Sequence, residues 1–198
     1  MSTAPGAADG LPEIAADQLR LTDWRVDDHP ELLAVAADPQ IQRFSSLGGV
    51  RTLAEVADWV ATRRAPGRMD WAVRDAASDQ LLGRVGLMNL HLDDDVAEIG
   101  YWTVPEARGR GVASESVALV THYGFAVLRR HRLEICHEPE NTASCRVAAR
   151  NGFVVEGVLR DAHRSYDGET FADLELHARL ATDPPSPVDT HVSHVGDD

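Results

Sequence analysis

The pattern of hydrophobic and polar residues divides the chain into short segments with two different periods. Three strand-like segments follow one another at 71–75, 80–92 and 96–104, and short polar turns join them. Segments of this kind, separated by turns rather than by helices, are typical of antiparallel strands. The middle of the chain is therefore predicted to form an antiparallel meander.

Helical periodicity is clearest at 51–64. Thr52 and Glu55 have the spacing of a capping box, and apolar residues recur on one face of the segment that follows. Three more segments have helical spacing: 29–38, 113–128 and 142–151. Asn141 precedes the last of these as a candidate N-cap, and Gly152 follows it as a stop signal.

Alternating segments elsewhere complete the strand pattern. They lie at 19–26, 132–138, 153–164 and 170–180. Strands and helices do not alternate strictly, which argues against a doubly wound fold. The pattern predicts a single mixed α/β domain at 18–180 with about seven strands, between flexible polar tails at 1–17 and 181–198.

Composition narrows the classes of partner. The 198 residues include 19 Lys and Arg against 32 Asp and Glu, a net charge of −13. So acidic a chain is not expected to bind nucleic acid or an anionic membrane, and it is compatible with cationic substrates such as amines. No apolar run is long enough for a transmembrane helix, and the start lacks the features of a secretory signal. Cys136 and Cys145 are too few for a disulfide framework, so a cytoplasmic location is expected.

The turn Arg108-Gly109-Arg110-Gly111 separates a strand segment from a helical one. It fails the dinucleotide pattern G-x-G-x-x-G because Ser114 stands at the third glycine, and it fails the phosphate-loop pattern because no lysine follows. What remains is a run of backbone amides that leads into a helix N-terminus, and this suits a pyrophosphate. The alternative is that the glycines only permit a tight turn.

The sequence VPEARGRGVA resembles the acyl-CoA loop of the GNAT superfamily of N-acyltransferases. That loop has Gln or Arg, two residues, Gly, one residue, and Gly or Ala. Arg108, Gly111 and Ala113 occupy its defined positions.

The rest of the chain strengthens this resemblance. Asn141 is followed by Ser144 and by Gly152-Phe153 at the offsets of the same family. The ending at 156–180 is similar to the RimJ/RimL-type branch, the ribosomal-protein N-terminal acetyltransferases and their relatives. The resemblance therefore covers the predicted domain and leaves out the two tails.

The resemblance implies a single GNAT-like domain of the α/β (α+β) class, with a mixed, mostly antiparallel seven-stranded sheet flanked by about four helices. It implies acetyl-CoA as the co-substrate, no metal, and transfer of the acetyl group to a primary amine by direct attack on the thioester. The residues assigned to donor binding are Thr103, Val104, Arg108, Gly109, Arg110, Gly111, Val112, Ala113, Ser114, Asn141 and Ser144. Thr103 and Val104 are expected to offer a backbone amide to the thioester oxygen.

Four residues are the leading candidates for the chemistry. Glu98 and His163 are the preferred candidate bases that remove the proton of the amine, and Glu134 is a third for which a solvated or salt-bridged role is favoured. Many relatives carry a tyrosine seven residues after Asn141 as an acid for the thiolate, but this position is Ala148 here. Ser144 resembles the RimJ/RimL-type substitute and is expected to hydrogen-bond the leaving sulfur. Asn141 resembles an asparagine of the family that binds pantetheine or water. For each of these residues, a purely structural role is the alternative to a functional one.

The acceptor remains open between the α-amine of a protein N-terminus and a small-molecule amine. The loop-like segments 38–50 and 161–171 are expected to set its specificity, with Phe44 and Trp24 as candidate pocket residues or ordinary core. Two other interpretations are a CoA-binding module without catalysis and a transferase for a larger acyl group. Because relatives commonly dimerise, a homodimer is also open.

Overall fold

The computed structural model describes residues 10–90, 94–166 and 168–188. In these ranges the strands are β1 (Ile14–Ala15), β2 (Leu19–Thr22), β3 (Met69–Asp75), β4 (Leu81–Met88), β5 (Val96–Thr103), β6 (Arg132–His137), β7 (Val154–Arg164) and β8 (Phe171–Leu180). The α-helices in the same ranges are α1 (His29–Val35), α2 (Pro39–Phe44), α3 (Leu53–Arg63), α4 (Val112–His122) and α5 (Thr142–Arg150). The fold class is mixed α/β, as the sequence predicted.

All eight strands belong to one sheet, in the order β1-β2-β3-β4-β5-β6-β8-β7. Neighbouring strands are antiparallel except β5 and β6, which run parallel. These two pair only where Val96, Ala97 and Glu98 face the first residues of β6. Both strands continue beyond that point without pairing to each other, so the sheet opens between them.

The predicted meander is confirmed. β3 pairs antiparallel with β4, and β4 pairs antiparallel with β5. Its residues supply much of the core, and Trp71, Val85 and Leu87 are all fully buried. The meander therefore forms a rigid base for the last residues of β5, which border the opening in the sheet.

The predicted helix caps are also confirmed. Thr52 Oγ1 accepts a hydrogen bond from the Glu55 amide at 3.2 Å, and Glu55 Oε2 accepts one from the Thr52 amide at 3.1 Å, which closes the capping box of α3. Asn141 Oδ1 accepts from the Ser144 amide at 3.2 Å and so begins α5. Gly152 follows α5 with φ of 77°, in the left-handed region that a helix stop requires.

Three expectations are corrected by the structure. The sheet has an eighth strand, β1, inside the segment 1–17 that was predicted as a tail; two residues are too few to show a period. A fifth helix, α2, lies in the segment 38–50 that was predicted as a loop; Asp38 caps it and Pro39 occupies its first turn. The helix predicted at 113–128 ends as α4 at His122, and a π-helical turn continues it to Val127.

The predicted C-terminal tail begins in contact with the domain. Ser186 is buried, and Val188 packs against the core. Residues 189–198 lie outside the described residues. None of the helices in the described ranges has the length and the apolar run needed to cross a membrane.

Candidate functional site

A groove of about 520 Å³ lies along the start of α4, and we call it the α4 groove. Its walls come from the glycine turn, the end of β5, α2 and α5. The lining residues that were predicted from the sequence are Thr103, Arg108, Gly109, Gly111, Val112, Ala113, Ser114, Asn141 and Ser144. The structure thus brings two segments that are distant in the chain to the same groove.

The glycine turn has the conformation that an anion site needs. Gly109 and Gly111 have φ of 74° and 86°, in the left-handed region that residues other than glycine rarely adopt. A Cβ added to either glycine would meet no protein atom within 4 Å, so the space in front of the turn is open. Glycine is required here by backbone conformation, and the open space leaves the backbone accessible to a ligand.

The N-terminus of α4 opens into the same groove. No side chain caps this end of the helix. The amides of Val112, Ala113 and Ser114 belong to the first turn, where a helix provides no internal acceptor, and the helix dipole favours negative charge at this end. The glycine turn and the first turn of α4 therefore fit the pyrophosphate of coenzyme A.

Arg108 is held by a carboxylate on the opposite wall. Its guanidinium forms a two-point ion pair with Asp38, with Nη2 at 2.6 Å from Oδ1 and Nη1 at 3.1 Å from Oδ2. The hydrogen bond from Arg108 is the main reason that the pKa of Asp38 is lowered below its ordinary value. Arg108 therefore joins the glycine turn to α2. This is a structural role in addition to the donor binding predicted from the sequence.

Two of the residues predicted for donor binding do not line the α4 groove. Val104 is buried, and its amide donates to the carbonyl of Leu82 at 2.9 Å, so this amide is not available for a thioester oxygen. Arg110 is exposed and is not among the residues that line the groove. The sequence pattern could not show this, because adjacent residues in a turn face different directions.

A second cavity of about 330 Å³ lies where β5 and β6 separate, and we call it the central cavity. All four residues predicted for the chemistry line it: Glu98, Asn141, Ser144 and His163. They come from β5, from the start of α5 and from β7. The opening in the sheet is thus the feature that collects them.

The α4 groove and the central cavity share one wall. Its residues are Phe44, Ser45, Tyr101, Trp102, Asn141 and Ser144. A molecule in the groove and a molecule in the cavity would therefore meet at Asn141 and Ser144. This arrangement can bring a donor and an acceptor together without an intermediate carrier on the protein.

Glu98 is half-buried in the central cavity. Burial, followed by repulsion from Glu134, raises the pKa of the Glu98 carboxyl above its ordinary value. Its Oε2 accepts a long hydrogen bond of 3.4 Å from Asn89. Glu134, by contrast, forms an ion pair with Arg132 at 2.6 Å.

His163 reaches the central cavity from β7, after an irregularity in the pairing of β7 with β8. Its ring packs edge-on against Tyr166, with ring centres 4.8 Å apart. His163 Nε2 is buried and has no hydrogen-bond partner among the described residues. A ring nitrogen in this state is free to exchange a proton with a bound molecule.

Tyr101 was not identified from the sequence. Its hydroxyl donates to the carbonyl of Ser144 at 3.3 Å, and burial raises the pKa of Tyr101 to about 12. It lies on the shared wall although Ala148 occupies the family's usual tyrosine position. Nothing in an alternating strand sequence marks one tyrosine as facing a helix that comes forty residues later.

Trp24, one of the two candidate pocket residues, belongs to the core: it packs on Trp59 and is not part of either cavity.

Arginines of the central cavity were also missed. Arg63, Arg68 and Arg84 line it, and none of them belongs to a motif that indicates binding or chemistry. Arg84 is paired with the buried carboxylate of Asp70 through its Nε and Nη2 atoms. The other two have no such partner among the described residues.

Four side chains in the described part of the chain lie close enough to hold a metal ion. The candidate ligand atoms of His137, Cys145, Glu175 and His177 all lie within 4.8 Å of one another. His177 Nε2 lies 3.0 Å from His137 Nε2 and 2.9 Å from Glu175 Oε1, and His137 Nδ1 lies 2.9 Å from the Glu138 carbonyl. If His137 donates from Nδ1, its Nε2 is an acceptor, and the single Nε2–H of His177 faces both this nitrogen and Glu175 Oε1. His177 Nδ1 is buried and has no hydrogen-bond partner among the described residues. The expectation of no metal stays a prediction.

Comparison with known proteins agrees with this geometry. Residues 18–154 match a family described as the acetyltransferase (GNAT) domain. The ribosomal-protein-serine acetyltransferase of Escherichia coli is 33% identical over 52% of this chain and 56% of its own length. A Bacillus subtilis protein named uncharacterized N-acetyltransferase YoaA is 28% identical over 76% of this chain and 87% of its own. The structure of Mycobacterium smegmatis RimJ in complex with CoA-disulfide has a TM-score of 0.77 at 22% identity, covering 91% of each chain.

Proposed function

The chain belongs to the GNAT acetyltransferase family, and we propose that it transfers the acetyl group of acetyl-CoA directly to a primary amine. The observation that carries this proposal is the wall shared by the α4 groove and the central cavity. In the proposal the donor lies in the groove and the acceptor lies in the cavity. Acetyl-CoA would supply the activated acetyl thioester, and the chain would supply the positioning and the path of the proton.

The glycine turn and α4 support the donor half of this proposal. Gly109, Gly111 and the first amides of α4 would bind the pyrophosphate, because they combine open backbone with the positive end of a helix. Asn141 and Ser144 border the groove further along, where the reactive end would lie. Ser144 would offer its hydroxyl to the sulfur, since neither it nor Tyr101 is acidic enough at neutral pH to give up a proton fully.

Glu98 supports the acceptor half. An amine attacks only when it is neutral, and an α-amine with a pKa of about 7.7–8.0 is neutral roughly a tenth of the time at pH 7. A lysine-like amine, with a pKa of about 10.4, pays about 4.6 kcal/mol for the same step. Glu98 would accept this proton, and a carboxylate with a raised pKa is a better base for it. His163 is the second candidate for this role, on the opposite side of the cavity.

To test the proposal, a panel of primary amines is incubated with the protein and acetyl-CoA, and the release of the CoA thiol is measured. Transfer to at least one amine, with a lower kcat in Ser144→Ala and an almost unchanged KM for acetyl-CoA, is the expected result. A panel of longer acyl-CoA donors in the same assay distinguishes a transferase for a larger acyl group. Tight acetyl-CoA binding in calorimetry without transfer to any amine would instead establish a CoA-binding module, and the catalytic proposal would be abandoned.

We also propose that the protein forms a homodimer. A second proposal is that its location is a reducing cytoplasm. β7 is the last strand of the sheet, and it exposes four large apolar side chains, Val154, Val155, Val158 and Leu159. An exposed apolar edge strand tends to be covered in solution. Cys136 and Cys145 are both free thiols, which suits a reducing compartment.

A further inference from the structure

Arg63 and Arg68 line the central cavity without a carboxylate partner among the residues that the structure describes. The Arg63 guanidinium lies over the Trp59 ring, 4.6 Å from its centre, and its Nε donates to Thr62 Oγ1 at 3.2 Å. Arg68 Nη2 lies 2.8 Å from the sulfur of Met88, and Arg68 Nε is buried without an acceptor. A guanidinium carries five N–H donors, and a thioether is a weak acceptor, so most of these donors have no protein partner among the described residues and can bind a ligand in the cavity.

Two of the three fully buried arginines among the described residues are held by a carboxylate, and the third, Arg179, donates to the carbonyl of Asn151. Arg74 is bound at 2.6 and 2.7 Å by the two oxygens of Asp28, and Arg84 is bound by Asp70. The chain has 32 acidic residues against 19 basic residues, so carboxylates are available to pair with arginines. Arg63 and Arg68 are half-buried in the same cavity, and neither has a carboxylate partner among the described residues although carboxylates are plentiful.

The surroundings make both charges costly in the free protein. Burial, followed by repulsion from Arg84, lowers the pKa of Arg63 to about 10. Burial and Arg84 likewise lower the pKa of Arg68. An anion beside these groups would satisfy their donors and offset the repulsion, whereas a cation would add to it.

Arg68 and Glu98 are both next to one residue, Met88, so a ligand that contacts both must carry its two polar groups close together. Met88, which contacts Arg68, pairs with Glu98 across β4 and β5. The guanidinium and the carboxylate therefore flank a single methionine. The cavity of about 330 Å³ is at the small end of ligand sites, which range over about 300–1,000 Å³.

We propose that the acceptor is a small molecule that carries an anionic group, a carboxylate or a phosphate, close to its primary amine. Arg63 and Arg68 bind the anionic group, and the amine faces Glu98. This inference rests on the proposed function, since it names the substrate class of the same site. It also differs from the reasoning from net charge, which was compatible with cationic acceptors and left the acceptor open.

The test compares matched acceptors that differ in one charge. Amino acids are assayed against their primary amides and against aminoalkyl phosphonates, with CoA release as the readout. We expect kcat/KM to be at least about 10-fold higher for the acid than for the amide, the size of one charge-assisted hydrogen bond. The phosphonate arm identifies which anion the arginines prefer.

Arg63→Ala and Arg68→Ala are expected to lower the acid-to-amide ratio towards one, mainly through KM for the acid. The ratio is measured within one enzyme preparation, so it does not depend on how much of a variant is folded. Arg68→Lys should keep part of the preference. Arg64→Ala is the matched control, because Arg64 lies outside the cavity and pairs with Asp23.

The outcomes separate this inference from the proposed function. If amines are acetylated but amides react as well as acids, or if the ratio is the same in the wild type and both alanine variants, the anionic acceptor is rejected and the transferase stands. If no amine of any charge is acetylated, both are rejected. A ratio that falls in both alanine variants and not in Arg64→Ala supports the assignment.

Discussion

Glu98 is a carboxylate whose burial opposes its ionisation. Its pKa is raised, so at a pH between its ordinary value and the raised value the folded chain keeps a proton that the unfolded chain releases. The contribution of Glu98 to stability therefore falls as the pH rises through that window. A side chain retained at such a cost is typical of a functional site.

Glu98→Gln is expected to raise the melting temperature at pH 7.5 and to leave it unchanged near pH 4, where the carboxyl is protonated in both states. The same variant should lower kcat, because glutamine cannot accept the proton of the amine. Thermal unfolding at the two pH values and CoA-release kinetics measure both effects. Glu106→Gln, on an exposed residue outside both cavities, is the control. A variant with unchanged kcat would remove Glu98 from the chemistry.

Gly111 combines a left-handed backbone with open space for a ligand. Gly111→Glu is expected to lower the affinity for acetyl-CoA by about 100-fold or more, because a carboxylate would stand where the anion binds. Glutamine has nearly the same shape as glutamate and causes the same backbone strain without the charge. Gly111→Gln should therefore lose much less affinity for acetyl-CoA. Calorimetry with acetyl-CoA gives both affinities. Equal losses in the two variants would show that the charge of the ligand is not recognised here.

At the scale of elements, helices with local signals were predictable and the others were not. The capping box of α3 and the cap and stop of α5 lie within a few residues of each other in sequence, so the chain itself encodes them. α2 was missed because its Pro39 and the glycines that follow indicate a loop, and only the structure shows that Asp38 caps it. The meander was predictable because its turns are short. The separation of β5 from β6 was not, since it depends on strands that are far apart in sequence.

Asp38 joins two elements, since it caps α2 and binds Arg108 of the glycine turn. Its lowered pKa means that this contribution to stability is present above the ordinary pKa of aspartate and is lost as the pH falls below it. Asp38→Ala removes cap and ion pair, and is expected to cost about 1–2 kcal/mol of unfolding free energy. Asp38→Asn keeps the cap and should cost less.

Both variants release Arg108 and are expected to change the KM for acetyl-CoA to a similar degree. Chemical denaturation and donor kinetics, measured on the same preparations, separate the two roles. If only Asp38→Ala changes the KM, the helix rather than the ion pair positions the turn.

For the whole molecule, net charge was a poor guide to the site. The value of −13 is the sum over the whole chain, whereas the cavity contains Arg63 and Arg68, which have no carboxylate partner among the described residues. Arg63 ends α3 and Arg68 directly precedes β3, and in sequence both resemble ordinary surface arginines. Only the topology, which places β3, β4 and β5 side by side, brings them near Glu98. The donor residues were easier to predict because most of them lie in one short segment.

The exposed edge of β7 gives a prediction for the assembly. Val158→Glu is expected to convert a dimer into monomers of 21.6 kDa in sedimentation, because it places a charge on the apolar edge. Val127→Glu changes an equally exposed valine, at 50%, away from this strand and should have no effect. A wild-type chain that sediments at 21.6 kDa would rule out the dimer.

The wall shared by the two cavities also has a consequence for inhibitor design. A ligand that covalently links a CoA-like part to an anionic amine-like part would occupy both spaces across Tyr101, Asn141 and Ser144. Once one part is bound, the second binds as an intramolecular event, at an effective concentration in the millimolar range for a short tether. The length of tether that gives the highest affinity would then measure, in solution, the distance across which the acetyl group passes.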